Sequence, residues 1–177
     1  MPALSRRGST PSWGVGTSPR DPLTGIRVAV VDVYVLRPVA GGWEALCLRR
    51  APDERSAGTW ETVHGHIQEG ESPVAAAVRE LSEESGLAAE RLYNVSRVES
   101  FYLHRTDEVV LIPVFCALVP AGAEVRLSEE HDAWAWLQPP QASERFAWPR
   151  ERRALADALA LVGRGDAGGL EDVLRVR

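Results

Sequence analysis

The stretch IRVAVVDVYVLR, Ile26 to Arg37, is dominated by β-branched residues and predicts a strand. The turn PVAGG then leads to WEALCLRR, which reads as a second strand. APDERSAG is loop-like, and TWETVHGHI is a short extended segment. Further strand character appears at RVESFYLH, VVLIPVFCALV and AWAWL. PPQASERFAWP reads as punctuation, and RERRALADALALV as a closing helix with Leu155, Leu159 and Val162 on its apolar side. Between the two groups of strands, Pro73 to Ser85 has helical spacing. Strands on both sides of one helix, with a second helix at the end, predict an α/β fold: a mixed sheet with helices packed on its faces. Residues 1–24, rich in Gly, Pro and Ser, read as a flexible arm in which Trp13 is the one candidate for a docked contact. Residues 25–177 read as a single domain.

Composition narrows the functional classes. All twenty basic residues are arginine, and the net charge is −5. That balance argues against a general nucleic-acid or membrane-surface binder, while arginine suits bidentate recognition of phosphate. Cys47 and Cys116 lie in apolar runs without metal-ligand spacing and read as buried thiols. No apolar run reaches membrane-spanning length, and no apolar segment follows Arg6 and Arg7 as a signal peptide would require. A cytoplasmic protein is the resulting expectation.

The central helix carries the chemistry. Ser72 and Pro73 form a cap-plus-proline start, and Gly86 is suited to the C′ position, which predicts a helix over 73–85. Val74, Ala77, Val78 and Leu81 make its buried stripe, while Glu80, Glu83 and Glu84 make an acidic one beside it. Two readings compete: a solvated helix face, or a cradle for a hard divalent ion, Mg²⁺ with Mn²⁺ as the alternative. Arg79 is placed to reach Glu83 along the helix or Glu71 before its first turn.

The full spacing decides between them. Gly65, five residues, Glu71, seven residues, Arg79-Glu80-Leu81, one residue, Glu83-Glu84, one residue, Gly86-Leu87 matches the Nudix box position for position. The chain therefore resembles the Nudix hydrolases, which cleave a nucleoside diphosphate linked to another group with the help of divalent metal. The resemblance implies an α/β/α sandwich around a mixed sheet, with the box helix as the catalytic one. It also implies metal ligands at Glu80 and Glu84, joined by Glu83 and the backbone carbonyl of Gly65. Glu71 and Arg79 would support them. The general base varies within the family, leaving two candidates here: a box glutamate such as Glu83, or Glu130 (with Glu129) of the later SEEHD stretch. Every charged box position is present, which favours a working enzyme over a catalytically silent ligand-binding module.

The box does not identify the substrate. Trp60 before the box, Glu130-His131 leading to Trp136-Leu137, and Trp148 opening the last helix are similar to the subgroup acting on dihydroneopterin triphosphate and dNTPs. A pterin or (deoxy)nucleoside triphosphate is the resulting expectation. The flanking motifs of the NADH-cleaving and coenzyme A members are absent. Tyr102, fifteen residues past Leu87, lies near the window where diadenosine-polyphosphate members carry a tyrosine, which keeps dinucleoside polyphosphates or nucleotide sugars as the alternative. Trp43, Trp60, Phe101, Tyr102, Trp134, Trp136 and Trp148 form the pool of stacking residues, and Trp134 and Trp136 should share one face of a strand. Arg49, Arg50 and Arg55 are candidate phosphate contacts or simply solvated charges, and His64 and His66 read as hydrogen-bonding residues at a turn. The expected partner is a small nucleotide-like diphosphate, with neither nucleic acid nor membrane; a homodimer is compatible with the sequence.

Overall fold

The computed structural model describes residues 24–177, so the expectations for the N-terminal arm and Trp13 lie outside the described residues, except at Thr24. Eight strands form one mixed sheet: β1 Gly25–Val28, β2 Val30–Val39, β3 Gly42–Arg50, β4 Trp60–Glu61, β5 Val63–His66, β6 Arg91–Leu103, β7 Glu108–Leu118 and β8 His131–Leu137. The helices are α1 Pro73–Ser85, α2 Pro139–Arg145, α3 Pro149–Val162 and the short α4 Glu171–Leu174. β7 runs parallel to both β1 and β2, whereas β3 and β5 pair antiparallel with β2. Among the described residues no helix is long and apolar enough to cross a membrane.

Strand alternation builds the two faces. Val31, Val33 and Val35 of β2 join Leu46 and Leu48 of β3 against Ala76, Ala77 and Leu81 of α1. The intervening Tyr34 and Leu36, with Ala45 and Cys47, pack instead with Ala142 and Phe146 near α2 and with Ala154, Leu155 and Ala158 of α3. A sheet buried on both faces needs a run without polar alternation, which is what β2 supplies. The result is the expected α/β/α sandwich. Both cysteines are free and buried, and burial pushes the Cys47 thiol up to about 12.

Several boundaries differ from the sequence reading. The first strand breaks at Ala29, so Gly25–Val28 forms a separate strand paired with β7. The stretch read as punctuation holds a helix, α2, because Pro139 and Pro140 start its first turn, where proline costs no hydrogen bond. On α1, Val74 and Val78 are only partly buried, and Ala76 takes the central place beside Ala77. Trp134 and Trp136 do share a face, opposite Leu48 and Leu46, but not a fate. Trp136 packs against the core beneath the Arg37 guanidinium, whereas Trp134 is half-exposed.

Candidate functional site

Local chemistry fixes α1. Ser72 Oγ accepts a 3.2 Å hydrogen bond from Ala75 N, Pro73 occupies the first turn, and Gly86 ends the helix at φ 68°. Its apolar stripe docks on β2 and β3, which presses the neighbouring acidic stripe against the sheet. Glu80 and Glu84 are buried there. Glu83 is not: its side chain is 57% exposed, because it lies farther round the helix toward solvent. The three acids therefore do not act as one set.

Arg79 binds the box together. Its Nε and Nη2 donate to the two Glu71 oxygens at 3.0 and 2.8 Å, a bidentate pair. Its Nη1 donates to Glu80 at 2.7 Å and Glu83 at 2.9 Å, and Nη2 also donates to the His66 carbonyl at 2.8 Å. One guanidinium thus fixes three carboxylates of the box and ties α1 to β5. The hydrogen bonds from Arg79 and from Gln68 N hold the Glu71 carboxyl below its usual range.

Gly65 on β5 faces Glu80 so closely that a Cβ there would stand 1.8 Å from the Glu80 carboxyl carbon. Any side chain would fill the place the carboxylate occupies. Glu84 is pushed well above the ordinary carboxylate range, first by burial and then by the negative charges of Glu80, Glu61 and Glu130. Its only hydrogen bond among the described residues is a long one, 3.4 Å from His64 N.

These features fit a hard divalent cation. The donors are all oxygens, Glu80 and Glu84 each keep an oxygen outside the hydrogen bonds, and Glu84 itself has no cationic partner among the described residues. Among the described residues no three His, Cys, Asp or Glu side chains converge as a ligand set.

Two residues beyond the box complete this end of the site. Glu61 of β4 is buried and receives Arg50 Nη1 at 2.9 Å. Burial alone would raise its carboxyl, but His131 and Arg50 outweigh that effect and hold it low. Glu130 is 54% exposed, with Arg50 Nη2 3.7 Å from its carboxylate. The structure thus brings Glu130 to the box acids, while the sequence reading missed Glu61. The available signal was a lone acid alternating with Trp60 in an extended segment.

A cleft of about 680 Å³ opens beside this cluster. His64, His66 and Glu61 line the end nearest the box, while Phe101, Tyr102 and Leu103 of β6 supply an apolar wall. Arg50, Arg55, Arg150 and Arg153 line it as well. Trp148 lines the cleft too, and is half-exposed. Its floor is anchored by Asp32 of β2, fully buried, which accepts from His64 Nδ1 at 2.6 Å and from Arg150. Nearby, Glu151 accepts from Thr62 N and Trp148 N, each at 3.2 Å. Burial and then the charge of Asp32 push the Glu151 carboxyl up to about 8.

Two expected substrate contacts fall elsewhere. Arg49 and Trp60 are register partners in β3 and β4, and share the face toward α2, where Arg49 and Arg145 lie over the Trp60 ring. Strand parity sends their neighbours Arg50 and Glu61 to the cleft instead. Arg49 is further held by Asp132 at 2.6 Å. Of the expected contacts, Tyr102 does line the cleft.

Comparison with known proteins agrees with this arrangement. Residues 26–158 match the model of the NUDIX domain. The chain is 37% identical over 132 residues to an octanoyltransferase of Myxococcus xanthus, covering 73% of this chain and 36% of that protein. It is 34% identical over 80 residues to the asymmetrical bis(5'-nucleosyl)-tetraphosphatase of Mus musculus, covering 44% of this chain and 54% of that one. The chain thus spans about a third to a half of the length of these two relatives. The structure of the E. coli dihydroneopterin triphosphate pyrophosphohydrolase superposes with a TM-score of 0.59 at 25% identity, over 71% of this chain and 91% of that one. With an intact box on α1 and a family match across the sandwich, the chain belongs to the Nudix family.

Proposed function

We propose that this protein hydrolyses a phosphoric anhydride in a nucleotide-like substrate, using Mg²⁺ or Mn²⁺ held by Glu80, Glu84 and the Gly65 carbonyl, with Glu83 at the rim. The carrying observation is the burial of Glu84 beside Glu80, Glu61 and Glu130, a crowding that a divalent cation would relieve. Glu80, Glu84 and the Gly65 carbonyl would hold such an ion, which would supply charge neutralisation at the phosphate oxygens and polarisation of the anhydride P–O bond. Arg79 and Glu71 orient the carboxylates, and such supporting contacts commonly govern affinity and rate by 10–100-fold.

Glu130 is the favoured general base. It is solvent-accessible and sits 3.7 Å from Arg50, whereas Glu83 is engaged by Arg79 at 2.9 Å. In the reaction, water attacks phosphorus, its proton passes to Glu130, and the bridging P–O bond breaks with the electron pair leaving on the departing phosphate oxygen.

The cleft favours a substrate that joins an aromatic ring to an anionic chain. Phe101, which shares strand parity with the cleft-lining Leu103, offers a ring face, and the guanidinium groups offer phosphate contacts. A pterin or (deoxy)nucleoside triphosphate is the preferred reading, supported by the likeness to the pterin-triphosphate enzyme. A dinucleoside polyphosphate is the second, supported by Tyr102 in the cleft and by the likeness to the mouse tetraphosphatase. Incubation with Mg²⁺ and a panel of triphosphates, diadenosine polyphosphates, ADP-ribose and nucleotide sugars, read by phosphorus NMR, separates them. Pyrophosphate released from a triphosphate supports the first reading, and cleavage confined to dinucleotides supports the second. Silence with both Mg²⁺ and Mn²⁺ contradicts hydrolysis.

A further inference from the structure

The arginines of the cleft are not equivalent. Arg27 pairs with Glu108 at 3.0 Å, Arg50 with Glu61 and Glu54 at 2.9 Å each, and Arg150 with the buried Asp32. Arg55, in the loop after β3, and Arg153, on the second turn of α3, line the same cleft with no carboxylate partner among the described residues. Both are exposed. Arg150 and Arg153 are three apart on α3 and so lie along one helix side, which faces the cleft.

From this difference we infer a second anion subsite, formed by Arg55 and Arg153, that binds a phosphate beyond the diphosphate held at α1. The inference rests on α1 as the diphosphate site. It follows from charge placement. The box end of the cleft is crowded with carboxylates that a cation would have to bridge to phosphate, whereas Arg55 and Arg153 carry positive charge with no carboxylate partner among the described residues. The paired arginines are already committed: moving Arg150 from Asp32 would strand a buried carboxylate, which is strongly unfavourable. Among the described arginines of the cleft, Arg55 and Arg153 can engage a new anion without breaking an ion pair, and their forked donors match a terminal phosphate with its three free oxygens. The subsite therefore counts phosphates. It favours substrates with three or more over those where a neutral sugar follows the second.

Equilibrium binding tests this without requiring turnover. The probes are a purine nucleoside triphosphate and the matching diphosphate, both with methylene groups in place of the anhydride oxygens, titrated calorimetrically in Mg²⁺. The wild-type protein should prefer the triphosphate by at least about tenfold, as charge-assisted hydrogen bonds to one phosphate allow. Arg55→Gln with Arg153→Gln should bring the ratio to within about threefold, leaving diphosphate affinity nearly unchanged. Arg153→Lys should recover part of the preference, since charge survives but the fork does not. An unchanged ratio in the double variant overturns the subsite, as does an equal loss for both probes. Loss of the ratio in a protein that hydrolyses nothing would instead keep the subsite and remove the hydrolytic reading.

Discussion

Asp32 on β2, with no exposed surface, accepts a 2.6 Å hydrogen bond from His64 Nδ1 on the adjacent β5. That bond fixes the imidazole with its Nδ1 hydrogen toward the floor and leaves Nε2 for the cleft that the ring lines. The second Asp32 oxygen accepts from Arg150 at the start of α3. One buried carboxylate therefore positions two cleft residues that are 32 and 118 positions away from it in the sequence.

Asp32→Asn should strip Arg150 of its buried counter-charge and cost on the order of 3 kcal/mol, seen as a lower urea midpoint. Adding Arg150→Met should recover part of the loss, because the stranded charge is gone. Additive losses in the double variant would mean that the two side chains are not coupled.

Gly65→Ala separates folding from function. The new methyl must displace the Glu80 carboxylate, the far end of a flexible side chain, so the cost in stability should stay near 1 kcal/mol. Turnover and Mg²⁺ affinity should each fall by about 10–100-fold, since the proposed ligand Glu80 has moved. Thermal unfolding and a Mg²⁺ titration of rate check the two halves; a fully active Gly65→Ala protein would remove Glu80 from the metal site.

Glu151 sets a pH dependence. Its folded pKa of about 8 lies above the ordinary carboxylate value of 4.5, so the native state binds this proton more tightly than the unfolded chain does. The associated stability is present in full below about 4.5 and is lost as pH rises toward 8, at up to about 1.4 kcal/mol per pH unit. Glu151→Gln should flatten that fall between pH 5 and 8 in metal-free urea titrations. An equally steep fall in the variant would place the titrating group elsewhere.

Off-cleft and on-cleft side chains should behave differently. Arg49→Ala should leave KM within about twofold, because Arg49 stacks over Trp60 on the α2 side. Phe101→Ala should raise KM by about tenfold if the ring stacks a heterocycle, within the usual worth of one stacked base. Steady-state kinetics on the best substrate of the panel measures both.

How far the sequence reveals this protein depends on the range of each interaction. The α1 boundaries, Pro73 and Ser85, were fully legible because Ser72, Pro73 and Gly86 act within a turn of the backbone they terminate. So was the acidic stripe, although the exposure of Glu83 required knowing how α1 sits on the sheet. α2 was missed because two prolines that begin a helix look like prolines that end one. Arg49 and Arg50 were indistinguishable until pairing with β4 set their parity, since a one-residue shift exchanges the faces. The cleft floor could not be read at all. Asp32, His64 and Arg150 each look ordinary in isolation, and only the tertiary fold brings them together.

The central claim, cation-assisted hydrolysis at α1, is tested most directly at Glu84. Burial and its acidic neighbours push this carboxyl well above the ordinary carboxylate range, and a glutamine amide keeps its shape while carrying no charge into that crowd. Phosphorus NMR of substrate hydrolysis in Mg²⁺ should show Glu84→Gln slowed by about 10³-fold, with its unfolding midpoint equal to or above that of the wild type. Unchanged turnover in a folded Glu84→Gln protein would contradict the account.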